Sequence, residues 1–173
     1  MKQSYLTGHK HNFLIGGVAL LLSAIGIGWG WDKKPSLGQQ YDDYYHPYEV
    51  VILRGGGHLS ETAQPAAVLY SQEKYDVALP LLLTLQQNQD NPDYWALLTG
   101  NAYLQVDSTQ EAREQFRKVE APDNSVYQQY ARWYIALSYL KDQQEKEAFF
   151  ALQAIAQQPG LFQKEARQLL SNF

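Results

Sequence analysis

The chain of 173 residues contains no cysteine and only four histidines. Without cysteine there are no disulfides, no thiolate catalysis and no zinc or iron–sulfur site that needs a thiolate ligand. Two of the histidines, His9 and His11, stand near the start. The other two, His46 and His58, are twelve residues apart with no carboxylates arranged to organise a metal, so we expect no metal site. Glycine-rich phosphate loops, nucleophile elbows and His-Glu-x-x-His motifs are missing as well. We therefore expect neither an enzyme nor a bound cofactor.

Charge is distributed unevenly along the chain. Residues 13–31 carry no charge, whereas from Pro35 onward ten basic residues stand against seventeen acidic ones, a net charge of −7. A domain this acidic has no general attraction to nucleic acid or to anionic lipid. The apolar fraction of 45% excludes a disordered or collagen-like chain. The pattern predicts an apolar anchor followed by an acidic folded domain.

The uncharged stretch, residues 13–31, predicts a transmembrane helix. As a helix it would rise about 28 Å, close to the roughly 30 Å hydrocarbon core of a bilayer. A cleaved signal peptide is the alternative, but its apolar region is usually about 7–15 residues long, and no A-x-A cleavage site follows here. Two lysines flank each end, so the positive-inside rule leaves the orientation open. The short tail, residues 1–12, favours a cytoplasmic N-terminus, and the domain is then periplasmic in a single-pass inner-membrane protein.

Residues 32–61 predict a linker rich in proline, glycine and tyrosine. Four tyrosines lie close together in the sequence, and this density of aromatic rings requires either burial in the protein or a binding partner: Tyr41, Tyr44, Tyr45 and Tyr48. We favour an extended segment whose rings lie along the first helices of the following domain. The alternative is that the segment Tyr41–Tyr48 forms a contact surface for another protein beside the membrane.

Residues 62–173 contain an internal repeat. Three windows align on Ala78, Ala112 and Ala148, which are 34 and then 36 residues apart. Each alanine is preceded at minus twelve by a small residue and at minus nine by a leucine or tyrosine, and is followed at plus four and plus seven by apolar residues. These sets are Ala66, Gly100 and Ala136; Leu69, Tyr103 and Tyr139; Leu82, Phe116 and Leu152; Leu85, Val119 and Ile155.

This pattern resembles the tetratricopeptide repeat (TPR), a helix–turn–helix unit of about 34 residues whose helices touch at small side chains. The resemblance implies an all-α solenoid of about three units, closed by a capping helix that covers its last apolar surface. The helices expected from caps and prolines are Asp93–Gln105, one from Ser108 to near Val119, Ser125–Leu140, Glu145–Gln157 and the capping helix Leu161–Leu170. The expected caps are Asn91, a Ser108–Glu111 capping box, and Asp123 or Asn124. Pro80 is expected to kink its helix or to delay its start toward Val77.

A closer resemblance involves the end of the linker and the first repeat. The passage YYHPYEVVILRG followed by ALYxxxxYxxAL is similar to a family of membrane-anchored tetratricopeptide proteins of Gram-negative bacteria, many of them encoded beside a sigma factor. The matching residues are Tyr45, Pro47, Tyr48, Arg54, Gly55, Tyr70, Tyr75, Ala78 and Leu79. The anchor, the repeat and the missing catalytic motifs together predict a non-enzymatic adaptor or scaffold at the cell envelope. The alternatives are a regulatory component of a sigma-factor or envelope-stress pathway, which the family resemblance implies, and an ancillary chaperone near the secretion channel.

In such a solenoid the first helix of each unit lines a groove in which a protein partner binds. The residues predicted to face it are Tyr70, Tyr94, Leu97, Asn101, Leu104, Gln105, Tyr130, Trp133, Leu137 and Lys141. Tyrosine and tryptophan are enriched at binding hot spots, although each ring could equally be core between units. Family grooves that clamp a chaperone's terminal carboxylate use lysine and asparagine. Here Asn101 fits but Leu97 replaces the lysine, so we expect a different protein partner, and no nucleic acid or small-molecule substrate.

Overall fold

The computed structural model describes residues 34–50, 61, 63–88, 91–122 and 125–173. The chain divides into two units, one up to Lys34 and one from Pro35 onward. The predicted cytoplasmic tail, the predicted transmembrane helix and the glycine run of the linker all lie outside the described residues. Within the described ranges, no helix is both long enough and apolar enough to cross a bilayer.

All regular secondary structure in the described ranges is helical, which confirms the all-α prediction. The described part of the chain contains eight helices: α1 (Leu37–Tyr44), α2 (Gln64–Ser71), α3 (Tyr75–Asn88), α4 (Pro92–Gln105), α5 (Thr109–Arg117), α6 (Val126–Lys141), α7 (Glu145–Ala156) and α8 (Gln163–Leu170). From α2 onward most contacts join neighbours in sequence, as in a helical repeat. Two helix pairs pack out of sequence order: α1 packs on α6, and α4 also packs on α6.

The turn within each helical pair has the same backbone geometry three times. Glu73, Asp107 and Gln143 all have a φ close to +60°, and they are 34 and 36 residues apart, like the aligned alanines. In each turn the next N–H donates to the carbonyl five residues earlier, at 2.9–3.0 Å, as from Lys74 to Leu69. This is the Schellman arrangement, which satisfies the last carbonyls of a helix. The repeat is therefore present in the backbone as well as in the residue pattern.

The repeat positions are the core of the domain. All the small residues at minus twelve, the aligned alanines and the residues at plus four are buried. At plus seven, Leu85 and Val119 are buried and Ile155 is half-buried. Gly100, the smallest of these residues, lies against the ring of Phe116. A Cβ atom built on Gly100 would overlap the ring of Phe116, so the glycine makes room for that ring.

Helix α4 lies between two clusters of buried side chains. Leu97 and Leu104 belong to the cluster with α5 to α8, whereas Trp95, Leu98 and Ala102 belong to the cluster with α2 and α3. Nine of its residues, from Trp95 to Ala102 and Leu104, are buried. Since the helix is enclosed on both sides, its polar side chains also need partners inside the protein.

Several helix ends differ from the predictions. Asn91 caps α4 as predicted, accepting a bond from the N–H of Tyr94 at 3.3 Å. The Ser108–Glu111 capping box is absent, because Ser108 has a ψ of 65° and its side chain makes no cap bond, whereas an N-cap is typically extended. At the start of α6 the cap is Ser125, which accepts from the N–H of Gln128 at 3.1 Å, and not Asp123 or Asn124.

Two further helix starts were predicted wrongly. Helix α3 begins at Tyr75 and not near Val77, and it contains Pro80 in its interior. The last helix begins at Gln163 and not at Leu161, so Leu161 lies ahead of it and is 52% exposed. Helix α8 caps the end of α7: Arg167 Nε donates a hydrogen bond to the carbonyl of Ala156, the last residue of α7, at 3.3 Å.

We predict that Gly100→Ala destabilises the fold by about 1–3 kcal/mol, the usual cost of overpacking a core, because its methyl group would collide with the Phe116 ring. The equivalent pairs in the other two units are Ala66 with Leu82 and Ala136 with Leu152. The double variant Gly100→Ala, Phe116→Leu adopts that pairing and should recover part of the loss. Urea unfolding of the two single variants and the double variant measures this. Additive losses would show that the two positions do not share a contact.

Candidate functional site

The tyrosine segment, residues 37–50, consists of α1 and six extended residues that follow it. A capping box starts α1: Ser36 Oγ accepts from the N–H of Gln39 at 3.2 Å, and Gln39 Oε1 accepts from the N–H of Ser36 at 2.9 Å. The helix ends at Tyr44. Two residues later comes His46, which precedes Pro47, and the residue before a proline disfavours helical backbone. The segment then runs across α6, α4 and α2. This agrees with the favoured interpretation that its rings lie along the first helices of the units, although helix α1 was not predicted.

The side chain of Asn101 holds the extended part of the tyrosine segment. Its Oδ1 accepts from the hydroxyl of Tyr45 at 3.0 Å and from the backbone N–H of Tyr48 at 3.3 Å. Its Nδ2 donates to the carbonyl of Leu97 at 2.9 Å, which fixes the orientation of the amide. Asn101 is completely buried, so these bonds form away from competing water.

Two tyrosine hydroxyls from the repeat helices bind backbone carbonyls of the tyrosine segment. Tyr134 on α6 donates to the carbonyl of His46 at 2.9 Å. Tyr70 on α2 donates to the carbonyl of Tyr48, also at 2.9 Å. With the bond from the N–H of Tyr48 to Asn101, three backbone groups of one extended stretch are recognised by side chains of three different helices. The groove therefore binds this stretch through its backbone N–H and carbonyl groups.

Aromatic contacts fill the space around these hydrogen bonds. The Tyr48 ring lies edge-on to Tyr130 at a centroid distance of 4.8 Å and to Tyr94 at 6.2 Å. Tyr44 meets Trp133 edge-on at 6.3 Å. Such pairs contribute about 0.5–1.5 kcal/mol each beyond the area they bury. The rings thus add stability where the hydrogen bonds provide direction.

A cation closes the end of the groove beside α1. Lys141 Nζ lies 5.0 Å from the centre of the Tyr41 ring and 2.7 Å from Asp107 Oδ1. The lysine holds the pKa of the Asp107 carboxyl below its usual value by a hydrogen bond and by its charge. Lys141 therefore links the turn after α4 to α1.

The structure places some of the predicted groove residues against the tyrosine segment and others in the core. Tyr94 and Tyr130 are half-buried against Tyr48, and Lys141 is half-buried beside Tyr41. Gln105 is exposed. The remaining predicted residues are buried: Tyr70, Leu97, Asn101, Leu104, Trp133 and Leu137. Leu97, Leu104 and Leu137 are part of the core cluster and do not line an open groove.

Sequence reasoning missed Tyr134 and the helix α1. The Ser36-x-x-Gln39 spacing is a capping-box signal that could have revealed α1. Tyr134 is 2% exposed and falls among many other aromatic residues of α6, so no spacing distinguishes it. The carbonyls of His46 and Tyr48 belong to the backbone and leave no signal in the residue pattern.

Burial changes the acidity of the tyrosines in this site. Desolvation raises the pKa of Tyr48 to about 12, with smaller contributions from Tyr127, Tyr130 and Tyr94. Desolvation also raises the pKa of Tyr41, Tyr45, Tyr70 and Tyr134 above the usual value for tyrosine. All these phenols are neutral at physiological pH and act as hydrogen-bond donors or apolar rings. The described ranges contain no group of three or more side chains suited to hold a metal ion.

Comparison with models of known protein families, with curated proteins and with solved structures found no match to this chain.

We predict that Asn101→Leu loosens the tyrosine segment while the repeat helices stay folded. The substitution keeps the volume but leaves the Tyr45 hydroxyl and the Tyr48 N–H without an acceptor, a cost of about 1–3 kcal/mol. Hydrogen–deuterium exchange should speed up at residues 45–50 and change little in α7. Tyr45→Phe is the matched control, and its effect should be smaller in the Asn101→Leu background than in the unmodified protein. Unchanged exchange at residues 45–50 would contradict the role assigned to Asn101.

We predict that the fold loses stability as the pH rises above about 10. The unfolded chain releases phenol protons near pH 10, whereas the folded chain keeps the proton of Tyr48 until about pH 12. Because the unfolded state binds fewer protons in this range, the free energy of unfolding falls with pH. Urea midpoints between pH 8 and 11 measure the decline, which should be smaller in Tyr48→Phe. An equal decline in that variant would exclude Tyr48 as a contributor.

Proposed function

We propose that the chain is a membrane-anchored tetratricopeptide-like adaptor that holds a partner protein at the cell envelope and catalyses no reaction. The observation that carries this proposal is the groove, which binds an extended segment through side chains of α2, α4 and α6. Helical pairs with a repeated Schellman turn support the assignment to tetratricopeptide-like repeats. Interaction surfaces built on stacked helical pairs are the usual use of such solenoids.

The occupant of the groove refines this proposal. Because the tyrosine segment covers Asn101, Tyr70 and Tyr134, these side chains serve to fix that segment to the repeats. The partner then binds a composite surface, made of the outer side of the segment and the helices beside it. This differs from an open groove lined by the first helices alone.

The proposed location is the inner membrane, with residues 13–31 as a single span and the helical domain in the periplasm. It rests on the length and apolar character of that stretch and on the resemblance to membrane-anchored tetratricopeptide proteins. A regulatory role in a sigma-factor pathway, or a chaperone role near the secretion channel, would be a specific form of the same adaptor.

The absence of cysteine allows one experiment to test both location and partner binding. Single cysteines are introduced at the exposed positions Gln72 and Lys146 of the full chain. A membrane-impermeant, cleavable thiol-to-amine crosslinker is then added to spheroplasts. We expect both thiols to react without permeabilisation and to give one reproducible partner adduct, identified by mass spectrometry. The cysteine-free chain is the control.

Two outcomes contradict the proposal in different ways. Reaction only after permeabilisation would place the domain in the cytoplasm. Reaction without any protein adduct, at both positions and across growth conditions, would exclude the adaptor function.

A further inference from the structure

A cleft of about 620 Å³ lies between the tyrosine segment and the helices α6 and α8. Aromatic rings form much of its wall: Tyr44, Tyr48, Tyr130, Trp133, Tyr134 and Phe162. Trp133 and Phe162 stack with a centroid distance of 4.8 Å and an angle of 2°, and Tyr130 meets Phe162 edge-on at 5.0 Å. These contacts hold the rings in fixed positions, so the wall is already formed before any partner arrives.

The same cleft exposes aliphatic surface at its edges. Val126 at the start of α6 is 51% exposed, and Leu161 just before α8 is 52% exposed. Both are large hydrophobic side chains in contact with water, on a domain that buries most of its other aliphatic residues. Covering them would contribute favourably to binding, because apolar surface would leave water.

The charged residues that line the cleft are all acidic. Asp43 and Glu49 come from the tyrosine segment and Glu165 comes from α8, and no lysine or arginine is among the lining residues. The Oε2 atom of Glu165 is closed off from water and has no hydrogen-bond partner. A carboxylate oxygen placed in this way lacks the donor that a buried polar atom ordinarily has.

We propose that this acidic aromatic cleft docks a segment of the partner protein that carries both basic and apolar side chains. Lysine or arginine side chains would pair with Asp43, Glu49 and Glu165 and lie against the aromatic wall, which attracts cations. The apolar side chains of the segment would cover Val126 and Leu161. The net charge of −7 from Pro35 onward would speed the encounter with a basic partner. The inference rests on the proposed adaptor function and specifies the chemistry of its partner.

Charge also distinguishes this occupant from a second copy of the chain. Two domains that each carry a net charge of −7 repel one another, and the cleft would then face another acidic surface. A basic segment instead neutralises the three carboxylates. Binding of this kind weakens with salt, because exposed charges are screened over about 10 Å at 0.1 M ionic strength.

Fluorescence anisotropy with the full chain in detergent micelles tests the proposal. The probes are three labelled twelve-residue peptides in which leucine alternates with lysine, glutamine or glutamate. We expect the lysine peptide to bind at least about tenfold more tightly than the glutamine peptide, and the glutamate peptide to bind least. The triple variant Asp43→Asn, Glu49→Gln, Glu165→Gln should lose about tenfold in affinity for the lysine peptide.

A matched control separates the cleft from the overall charge. Glu111→Gln, Glu114→Gln, Glu147→Gln removes the same number of charges from exposed positions on α5 and α7, and it should leave the affinity nearly unchanged. Val126→Ser with Leu161→Ser should weaken binding, whereas Val77→Ser, exposed on α3, should not.

Three results would overturn the proposal. The first is an equal loss of affinity for the lysine peptide in the two triple variants. The second is equal binding of the lysine and glutamine peptides. The third is self-association of the chain that is abolished in the cleft variant alone. The last result would assign the cleft to a second copy. If crosslinking in spheroplasts yields a partner but the peptides do not bind, the adaptor function stands and the cleft assignment fails. If the lysine peptide binds but no partner adduct forms, the preference of the cleft for basic segments stands, but the adaptor function fails and with it the assignment of the cleft to a partner protein.

Discussion

The buried amide of Asn101 is the interaction on which the position of the tyrosine segment over the repeat helices depends. It lies on α4, the helix that separates the two core clusters, and it accepts hydrogen bonds from both a side chain and the backbone of the tyrosine segment. An asparagine in a helix enclosed on both sides would be costly without partners. The tyrosine segment supplies them, so its position and the burial of α4 depend on each other.

This dependence makes residues 37–50 a structural part of the domain and not merely a linker. Helix α1 packs on α6 out of sequence order, and the hydroxyls of Tyr70 and Tyr134 bind the backbone that follows it. A surface that resembles an open peptide groove is thereby covered by the chain itself. The outer side of the segment, with Asp43 and Glu49, becomes part of a new cleft.

The repeat could be predicted from sequence because its core positions recur at a fixed spacing, and burial of Ala78, Ala112 and Ala148 follows directly. The density of tyrosines in the linker also predicted that their rings lie along the repeat helices. Their exact partners could not be predicted, because carbonyls such as that of His46 have no residue signature. Helix α4 was equally difficult to orient, since its apolar residues surround it and no single face stands out. The missing cap at Ser108 depends on a ψ angle that residue type alone does not fix.

The enclosure of α4 has a consequence for how this sequence can diverge. A helix with nine buried residues tolerates few substitutions, whereas α5 and α7 expose much of their surface and are free to change. Gly100 and Asn101 are adjacent on α4 and are constrained for different reasons, one by the Phe116 ring and the other by its hydrogen bonds. Distant descendants of this chain would therefore keep the stretch Trp95–Leu104 longest, together with a tyrosine-rich segment ahead of the repeats. Change in one of the two should be accompanied by change in the other.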